Sequence, residues 1–311
     1  MRIIKPKALR HGDVIGIAAP ASPPVSEEKL AKGISYLERL GYRIELGKNL
    51  YRKRGYLAGT DGQRASDIHE LFVNKKVKAI FNARGGFGCM RILPLLDYNL
   101  IRRHPKIFVG YSDVTVLQLA LFTKIGLATF SGPMVAVEMA DGLSGTVEEQ
   151  FWKCLTHPKA LDLIYMNKKK KKVFQKGNST GRIIGGNLSL IAAMVGTPYF
   201  PSASDLLLVL EEIGERPYRI DRMLRQLQLA NVLKKTKGVL LGSFDDCEPE
   251  KGKPSLALQQ VFNDIFANGS YPVMSGLSCG HRNNSLTIPL GVRARIDTVT
   301  GALRFLENAV E

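Results

Sequence analysis

The sequence has few cysteines and histidines, and none of them is spaced for a disulfide framework or a metal site. The four cysteines, Cys89, Cys154, Cys247 and Cys279, include no CxxC pair. A disulfide-stapled secreted domain and a structural zinc site are therefore not indicated, and we expect four free thiols. The five histidines form no HExxH pair or other ligand spacing, so the sequence predicts no metal mechanism.

Long hydrophobic runs are also missing, and no apolar stretch is long enough to cross a bilayer. Basic residues precede "VIGIAAPA", as they would in a signal peptide. However, Asp13 and Pro20 bracket only a short apolar core, which is typical of a first strand and turn. The sequence therefore predicts a cytoplasmic protein without a membrane partner.

Positive charge is abundant, because 44 lysines and arginines outnumber 28 aspartates and glutamates for a net charge of +16. Such an excess can serve nucleic acid, an anionic membrane or small acidic substrates. The one dense run, Lys168 to Lys172, reads as an exposed linker, with a dedicated binding patch as the alternative. No basic face interleaved with aromatic residues accompanies it, so we expect no nucleic-acid partner.

The 311 residues predict two domains. Residues 1–165 alternate short apolar runs with amphipathic ones, the pattern of βα units in a doubly wound, mostly parallel sheet. Residues 166–178 are interpreted as a Lys-rich linker, and residues 179–311 as a smaller, mixed α/β domain with more antiparallel character. We assign strands to "DVIGIAAPASP", "VKAIFN", "KIFVG" and "DLLLVLEEI", and helices to "EEKLAKGISYLERLG" and "VTVLQLALFTKIG", among others.

Polar or glycine-rich segments follow several predicted strands, where open α/β sheets gather their ligands. These segments are "ARGGFG" (83–88), "GYSD" (110–113), "LEEIGE" (210–215) and "GHRNNSLTIPLG", which begins at 280. The glycines of "RGGFG" fit a tight turn that needs positive φ, or a loop whose bare N–H groups bind an anion. They do not complete a Rossmann fingerprint.

Ser112 follows a predicted strand, where it could cap the next helix or act as a nucleophile. Together with Glu211 and His281 it supplies the parts for serine acyl transfer: a nucleophile, an orienting acid and an imidazole base. The chain order matches that of α/β hydrolases. Their GxSxG elbow is absent because Val114 replaces the final glycine.

Six ordered motifs carry a resemblance to the LD-carboxypeptidases, or muramoyltetrapeptide carboxypeptidases. They are "YLAGTDGQRASDIHELF", "VKAIFNARGGFGCMRILPLLDY", "FVGYSDVTVL", "GRIIGGNLSLIAAMVGTPY", "LEEIGERPYRIDRML" and "GHRNNSLTIPLG". The resemblance implies a flavodoxin-like N-terminal domain and a C-terminal domain with a β-barrel-like core. It further implies a homodimeric serine peptidase, without a cofactor, that removes D-alanine from murein tetrapeptides by cleaving the bond after meso-diaminopimelate.

The same resemblance assigns roles to individual residues. It implies Ser112 as nucleophile, Glu211 as triad acid and His281 as base, with an oxyanion hole formed by the N–H groups of Gly86 and Asp113. Glu212 is the alternative acid, but adjacent side chains on a strand point to opposite faces, so only one can meet His281.

We expect further substrate contacts from Arg84, Gly85 and Tyr111, with Arg84 as a cation for a carboxylate. Two other functions stay open. One is a microcin-type self-immunity peptidase that cleaves peptidyl-nucleotides, and the other is a non-catalytic protein that binds anionic ligands.

Overall fold

The computed structural model describes residues 2–143, 145–161 and 163–311. It divides into two compact units. The first contains the residues up to Lys159 together with Leu286–Gly291 and Ala309–Glu311. The second contains Ala160–Ser285 and Val292–Asn308.

The strands, in chain order, are β1 (Val14–Ala18), β2 (Arg43–Leu46), β3 (Val77–Asn82), β4 (Ile107–Val109), β5 (Thr129–Ser131), β6 (Ile164–Tyr165), β7 (Val173–Gln175), β8 (Asn178–Asn187), β9 (Leu206–Ile213), β10 (Gly238–Asp245), β11 (Val273–Ser275), β12 (Ile288–Leu290), β13 (Arg293–Asp297) and β14 (Ala302–Phe305). The α-helices are α1 (Glu27–Arg39), α2 (Asp61–Val73), α3 (Cys89–Ile92), α4 (Tyr98–Arg103), α5 (Thr115–Ile125), α6 (Glu138–Asp141), α7 (Gly145–Thr156), α8 (Leu188–Met194), α9 (Pro217–Leu229), α10 (Val232–Lys235) and α11 (Leu258–Phe266). Short 3₁₀ helices cover Leu93–Leu95, Ser112–Val114 and Ala203–Asp205.

The first unit is built on a six-stranded sheet in the order β12-β5-β4-β3-β1-β2. Strands β1 to β5 are parallel, and β12 pairs antiparallel with β5 at the edge. The order 2-1-3-4-5 is that of flavodoxin-like folds, so the predicted doubly wound arrangement is confirmed. The central strands β1, β3 and β4 are almost wholly buried apolar runs, as expected for a parallel sheet covered on both faces, while the edge strand β2 is largely exposed.

Local capping explains where the first two long helices begin. The Ser26 hydroxyl accepts a hydrogen bond from the Lys29 N–H at the start of α1. Thr60 and Gln63 form a reciprocal capping box at the start of α2, at the cap that the sequence predicts. Both helices follow strands of the sheet, so these caps also fix where the preceding loops end.

The second unit contains an eight-stranded mixed sheet in the linear order β6-β14-β13-β8-β9-β10-β11-β7. Its centre, β8 to β11, is parallel, and its outer pairs are antiparallel. The predicted mixed α/β character is therefore confirmed. Strands β9 and β10 place buried leucine and valine residues on both of their faces.

The unit boundaries differ from the predicted ones in two places. The segment 286–291 belongs to the first unit, because β12 extends the first sheet beside β5. The Lys-rich segment is part of the second unit, since β7 pairs with β11 and the Ser275 N–H donates to the Lys172 carbonyl at 2.8 Å. Backbone pairing with a distant strand orders this segment, and charge composition alone gives no sign of that pairing.

Among the described residues, none of the helices is both long and apolar enough to cross a membrane. All four cysteines are buried free thiols.

Candidate active site

Ser112 lies directly after the buried strand β4 and has the backbone angle φ +60°. This left-handed conformation costs an L-residue about 1–2 kcal/mol, and such strain is concentrated at functional sites. The strand leads into a 3₁₀ turn, Ser112–Val114, and then into α5. A strand, a strained turn and a helix also make up the nucleophile elbow of hydrolases, so this arrangement resembles one without the GxSxG sequence.

The helix-capping interpretation of Ser112 does not fit this turn. Neither the 3₁₀ turn nor α5 has a side-chain cap hydrogen bond at its start. The neighbouring Asp113 carboxylate instead accepts a hydrogen bond from the Cys89 N–H at 2.8 Å. Burial raises the pKa of Asp113, and the Cys89 N–H opposes that rise. Asp113 thus joins the Ser112 turn to the start of α3.

The glycine loop after β3 passes against the Ser112 turn. A Cβ atom built on Gly85 would lie 2.9 Å from the Ser112 Cβ and 3.1 Å from its Oγ, so a larger residue cannot stand there. Gly86 has φ +113°, and a Cβ on it would meet the Ser22 Oγ at 2.3 Å. Ser22 accepts the Phe87 N–H at 3.1 Å. Within the described part of the chain, no hydrogen bond uses the N–H of Gly86 or of Asp113.

A buried arginine fixes the far end of this loop. Arg64 on α2 is 1% exposed, and its guanidinium donates to the Gly88 carbonyl at 2.8 Å and to the Pro20 carbonyl. It also pairs with Asp61, which Arg91 contacts at 2.8 Å. Hydrogen bonds from Arg91 lower the pKa of Asp61. Sequence reasoning missed Arg64, and the signal that could have found it is its place on the apolar face of α2.

In the second unit, Glu211 and His281 form a hydrogen-bonded pair. The Oε2 atom of Glu211 lies 2.8 Å from the Nδ1 atom of His281. Glu211 is 3% exposed on β9, and His281 lies in the loop between β11 and β12. A buried carboxylate at Nδ1 selects the tautomer that leaves Nε2 as the basic nitrogen, which is the geometry of a triad acid and base.

The adjacent carboxylate, Glu212, has different partners. It accepts hydrogen bonds from the Asn187 side chain at 2.7 Å, the Ser189 N–H at 2.8 Å and the Ile213 N–H at 2.9 Å. Burial raises its pKa despite these donors. Glu212 therefore holds the start of α8 against β9, while Glu211 reaches the imidazole.

The structure places Arg84 and Tyr111 beside the first unit's loops. A Cβ on Gly86 would lie 3.6 Å from a guanidinium nitrogen of Arg84, so Arg84 is next to the loop. The Tyr111 hydroxyl donates to Glu138 on α6 at 2.5 Å, and Glu138 also accepts the Met134 N–H at 3.0 Å. Tyr111 thus ties the Ser112 turn to the segment that follows β5.

The titratable groups around these residues do not form an alternative centre. Across residues 2–143, 145–161 and 163–311, no cluster of three or more His, Cys, Asp or Glu side chains could hold a metal ion. Burial raises the pKa of Cys89 and of Cys279, so neither thiol is activated as a nucleophile.

Comparison with known proteins matches both units of the chain. The family model for the LD-carboxypeptidase N-terminal domain matches residues 15–132, and that for the C-terminal domain matches residues 180–296. A probable murein peptide carboxypeptidase of Bacillus subtilis is 40% identical over 295 residues, covering 94% of this chain and 92% of the relative.

Two further similar proteins carry names that describe different functions. The crystal structure of muramoyltetrapeptide carboxypeptidase from Oxalobacter formigenes has a TM-score of 0.84 and 31% identity, covering 94% of this chain and 97% of that one. The microcin C7 self-immunity protein MccF of Escherichia coli is 29% identical over 320 residues, covering 93% of this chain and 92% of the relative.

Proposed function

This chain belongs to the LD-carboxypeptidase family, and we propose that it hydrolyses the bond between meso-diaminopimelate and the terminal D-alanine of murein tetrapeptides. Two of the relatives, from Bacillus subtilis and Pseudomonas aeruginosa, are named as murein peptide and murein tetrapeptide carboxypeptidases. Such an activity releases D-alanine for reuse and shortens the peptide during peptidoglycan recycling.

In the proposed reaction, Ser112 is the nucleophile, His281 is the general base and Glu211 orients the imidazole. The Ser112 oxygen attacks the diaminopimelate carbonyl while His281 takes the hydroxyl proton at Nε2. The N–H groups of Gly86 and Asp113 stabilise the oxyanion. His281 then gives its proton to the leaving amine of D-alanine, and water hydrolyses the acyl-enzyme by the same route.

The observation that carries this proposal is the 2.8 Å hydrogen bond between Glu211 and His281. A surface histidine has no need for a nearly fully buried carboxylate at Nδ1, whereas a catalytic base does. The φ of +60° at Ser112 and the unengaged N–H groups of Gly86 and Asp113 support the nucleophile and the oxyanion hole. We further propose Arg84, Gly85 and Tyr111 as substrate contacts.

The experiment is D-alanine release from the murein tetrapeptide by the purified protein, in the presence of EDTA, with wild type compared with Ser112→Ala. Wild type should release D-alanine at an unchanged rate with the chelator, and the variant should be slower by at least about a thousand-fold. Equal rates in the two proteins would contradict the role of Ser112, and inhibition by EDTA would contradict a metal-free mechanism.

The similarity to MccF fits one alternative, a peptidase that cleaves peptidyl-nucleotides for self-immunity. The same assay distinguishes it. A protein that is inert on the tetrapeptide but cleaves an aspartyl-nucleotide belongs to that branch. A non-catalytic anion binder would turn over neither compound, and its affinity for the tetrapeptide would be the same with alanine at position 112.

We also propose that the protein is cytoplasmic and forms a homodimer, as the family resemblance implies. Light scattering of the purified chain tests the dimer, and a mass equal to the monomer's 34.3 kDa would contradict it. Fractionation of the source cells, followed by immunodetection, tests the location.

A further inference from the structure

A cavity of about 150 Å³ lies within the second unit, close to the Glu211–His281 pair. Its lining includes Gly242 and Cys279, and a Cβ built on Gly242 would lie 3.2 Å from the Glu211 Cβ. Arg282, the residue that follows His281, forms another part of the wall. The cavity is therefore separated from the triad acid by little more than one backbone strand.

The lining is rich in groups that favour an anion. The residues that line it include Lys170, Ser278, Arg282 and Asn284, and no acidic residue of the described chain lines the cavity. The Arg282 guanidinium is paired with Asp245. Lys170, by contrast, forms no ion pair with any described residue. A free ammonium group at a small cavity lined by hydroxyl and amide groups suits a carboxylate.

Ser243 connects the cavity wall to the Glu211–His281 pair. It lines the cavity, and its N–H donates to the Cys279 carbonyl at 2.8 Å. A Cβ built on Gly280 would lie 2.2 Å from the Ser243 Oγ and 3.1 Å from the Glu211 Oε2, so the hydroxyl faces the backbone beside the pair. A ligand in the cavity is therefore close to the residues that hold His281.

The turn that contains Lys170 is held in place by the backbone. The Lys170 N–H donates to the Asn167 carbonyl at 2.9 Å, and the Asn167 N–H donates to the Gly276 carbonyl at 2.8 Å. The Ser275 hydroxyl donates to the Lys170 carbonyl at 2.9 Å. Lys171 lies over Gly301, where a Cβ would meet its side chain at 2.7 Å. These hydrogen bonds therefore hold the backbone of Lys170 at the wall of the cavity.

We propose that this cavity, called here the Lys170 cavity, binds a carboxylate group of the peptide substrate, with Lys170 as the cation. The inference rests on the proposed function for the identity of the substrate. The tetrapeptide has several carboxylates, on D-glutamate, on the diaminopimelate side chain and on D-alanine. Any one of them could pair with the Lys170 ammonium group, and the experiments below distinguish them.

The test compares Lys170→Ala with Lys168→Ala and Lys169→Ala, which remove the same charge from exposed neighbours outside the cavity lining. For D-alanine release, Lys170→Ala should raise KM about tenfold with kcat within about twofold, while both controls stay within about twofold in KM. If all three lysine variants behave alike, the Lys170 cavity is not a substrate site.

A binding measurement keeps the inference separate from the proposed activity. Calorimetric titration of Ser112→Ala with the tetrapeptide requires no turnover, and adding Lys170→Ala should raise Kd about tenfold. A wild type that binds but does not release D-alanine overturns the proposed function while leaving the Lys170 effect measurable. An unchanged Kd overturns the Lys170 cavity. A tetrapeptide with lysine in place of diaminopimelate then locates the carboxylate, because only the side-chain carboxylate is missing from it.

Discussion

At the residue scale, two adjacent carboxylates on β9 have separate tasks. Glu211 reaches His281 at 2.8 Å, and Glu212 accepts three hydrogen bonds around the start of α8. The alternation of side chains along a strand divides them in this way. Glu211 is thus free to orient the imidazole, and Glu212 stabilises the junction between β9 and α8.

This division predicts opposite results for two conservative substitutions. Glu211→Gln should lower kcat for D-alanine release by about a thousand-fold and leave the fold intact, because an amide selects the wrong imidazole tautomer. Glu212→Gln should lower the free energy of unfolding by about 1–2 kcal/mol, since the amide cannot accept from all three donors, with kcat within about threefold. Kinetics and urea unfolding of both variants measure this. A Glu212→Gln protein as inactive as Glu211→Gln would show that the roles are wrongly assigned.

The sequence alone singles out Ser112, Glu211 and His281 through their residue types and chain order. Their surroundings could not be predicted in the same way. The contact between Glu211 and His281 spans 70 residues and depends on how β9 and the loop after β11 are brought together. The left-handed φ of Ser112 and the burial of Arg64 are also products of tertiary packing, and no local pattern fixes them.

At the scale of elements, two glycines in helices show how helix propensity and side-chain packing can act in opposite directions. Gly33 lies inside α1, where a Cβ would approach the Val135 carbonyl oxygen to 1.9 Å. Gly62 lies in α2, and a Cβ there would have no described heavy atom within 4 Å. Alanine is favoured over glycine by about 1 kcal/mol in a helix interior and by less in the first turn, where Gly62 lies, so the surroundings decide the sign at each site.

We therefore expect substitutions by alanine to have opposite signs. Gly33→Ala should destabilise the first unit by about 2 kcal/mol, because overpacking outweighs helix propensity, and Gly62→Ala should stabilise it by up to about 1 kcal/mol. The single tryptophan, Trp152, stacks on Tyr42 in the first unit, so its fluorescence during urea unfolding reports the change. Stabilisation by Gly33→Ala would mean that α1 can move away from Val135.

Most regular elements follow from local sequence pattern, as α1 and α2 show with their caps and β3 with its apolar run. The departures come from long-range pairing. Strand β12 joins β5 across more than a hundred and fifty residues, and β7 joins β11 across about a hundred, so neither partner is visible in the local sequence. The Lys-rich segment looks like a linker for that reason.

At the scale of the whole molecule, the net charge of +16 creates a long-range field that attracts an anionic peptide before any local contact forms. Salt screens such a field over a Debye length of about 10 Å at 0.1 M ionic strength. A single lysine contributes a local contact and only a small part of the field. The two contributions can therefore be separated by their dependence on salt.

We expect KM for the tetrapeptide to rise several-fold between about 0.01 and 0.15 M sodium chloride, with kcat nearly constant, because screening weakens capture and not chemistry. Lys170→Ala should start from a higher KM and keep most of the salt dependence, since the remaining positive charges still create the field. Sucrose at matched viscosity controls for diffusion. A KM that is independent of salt in wild type would show that the excess charge does not serve this substrate. Loss of the whole dependence in Lys170→Ala would assign it to the one contact.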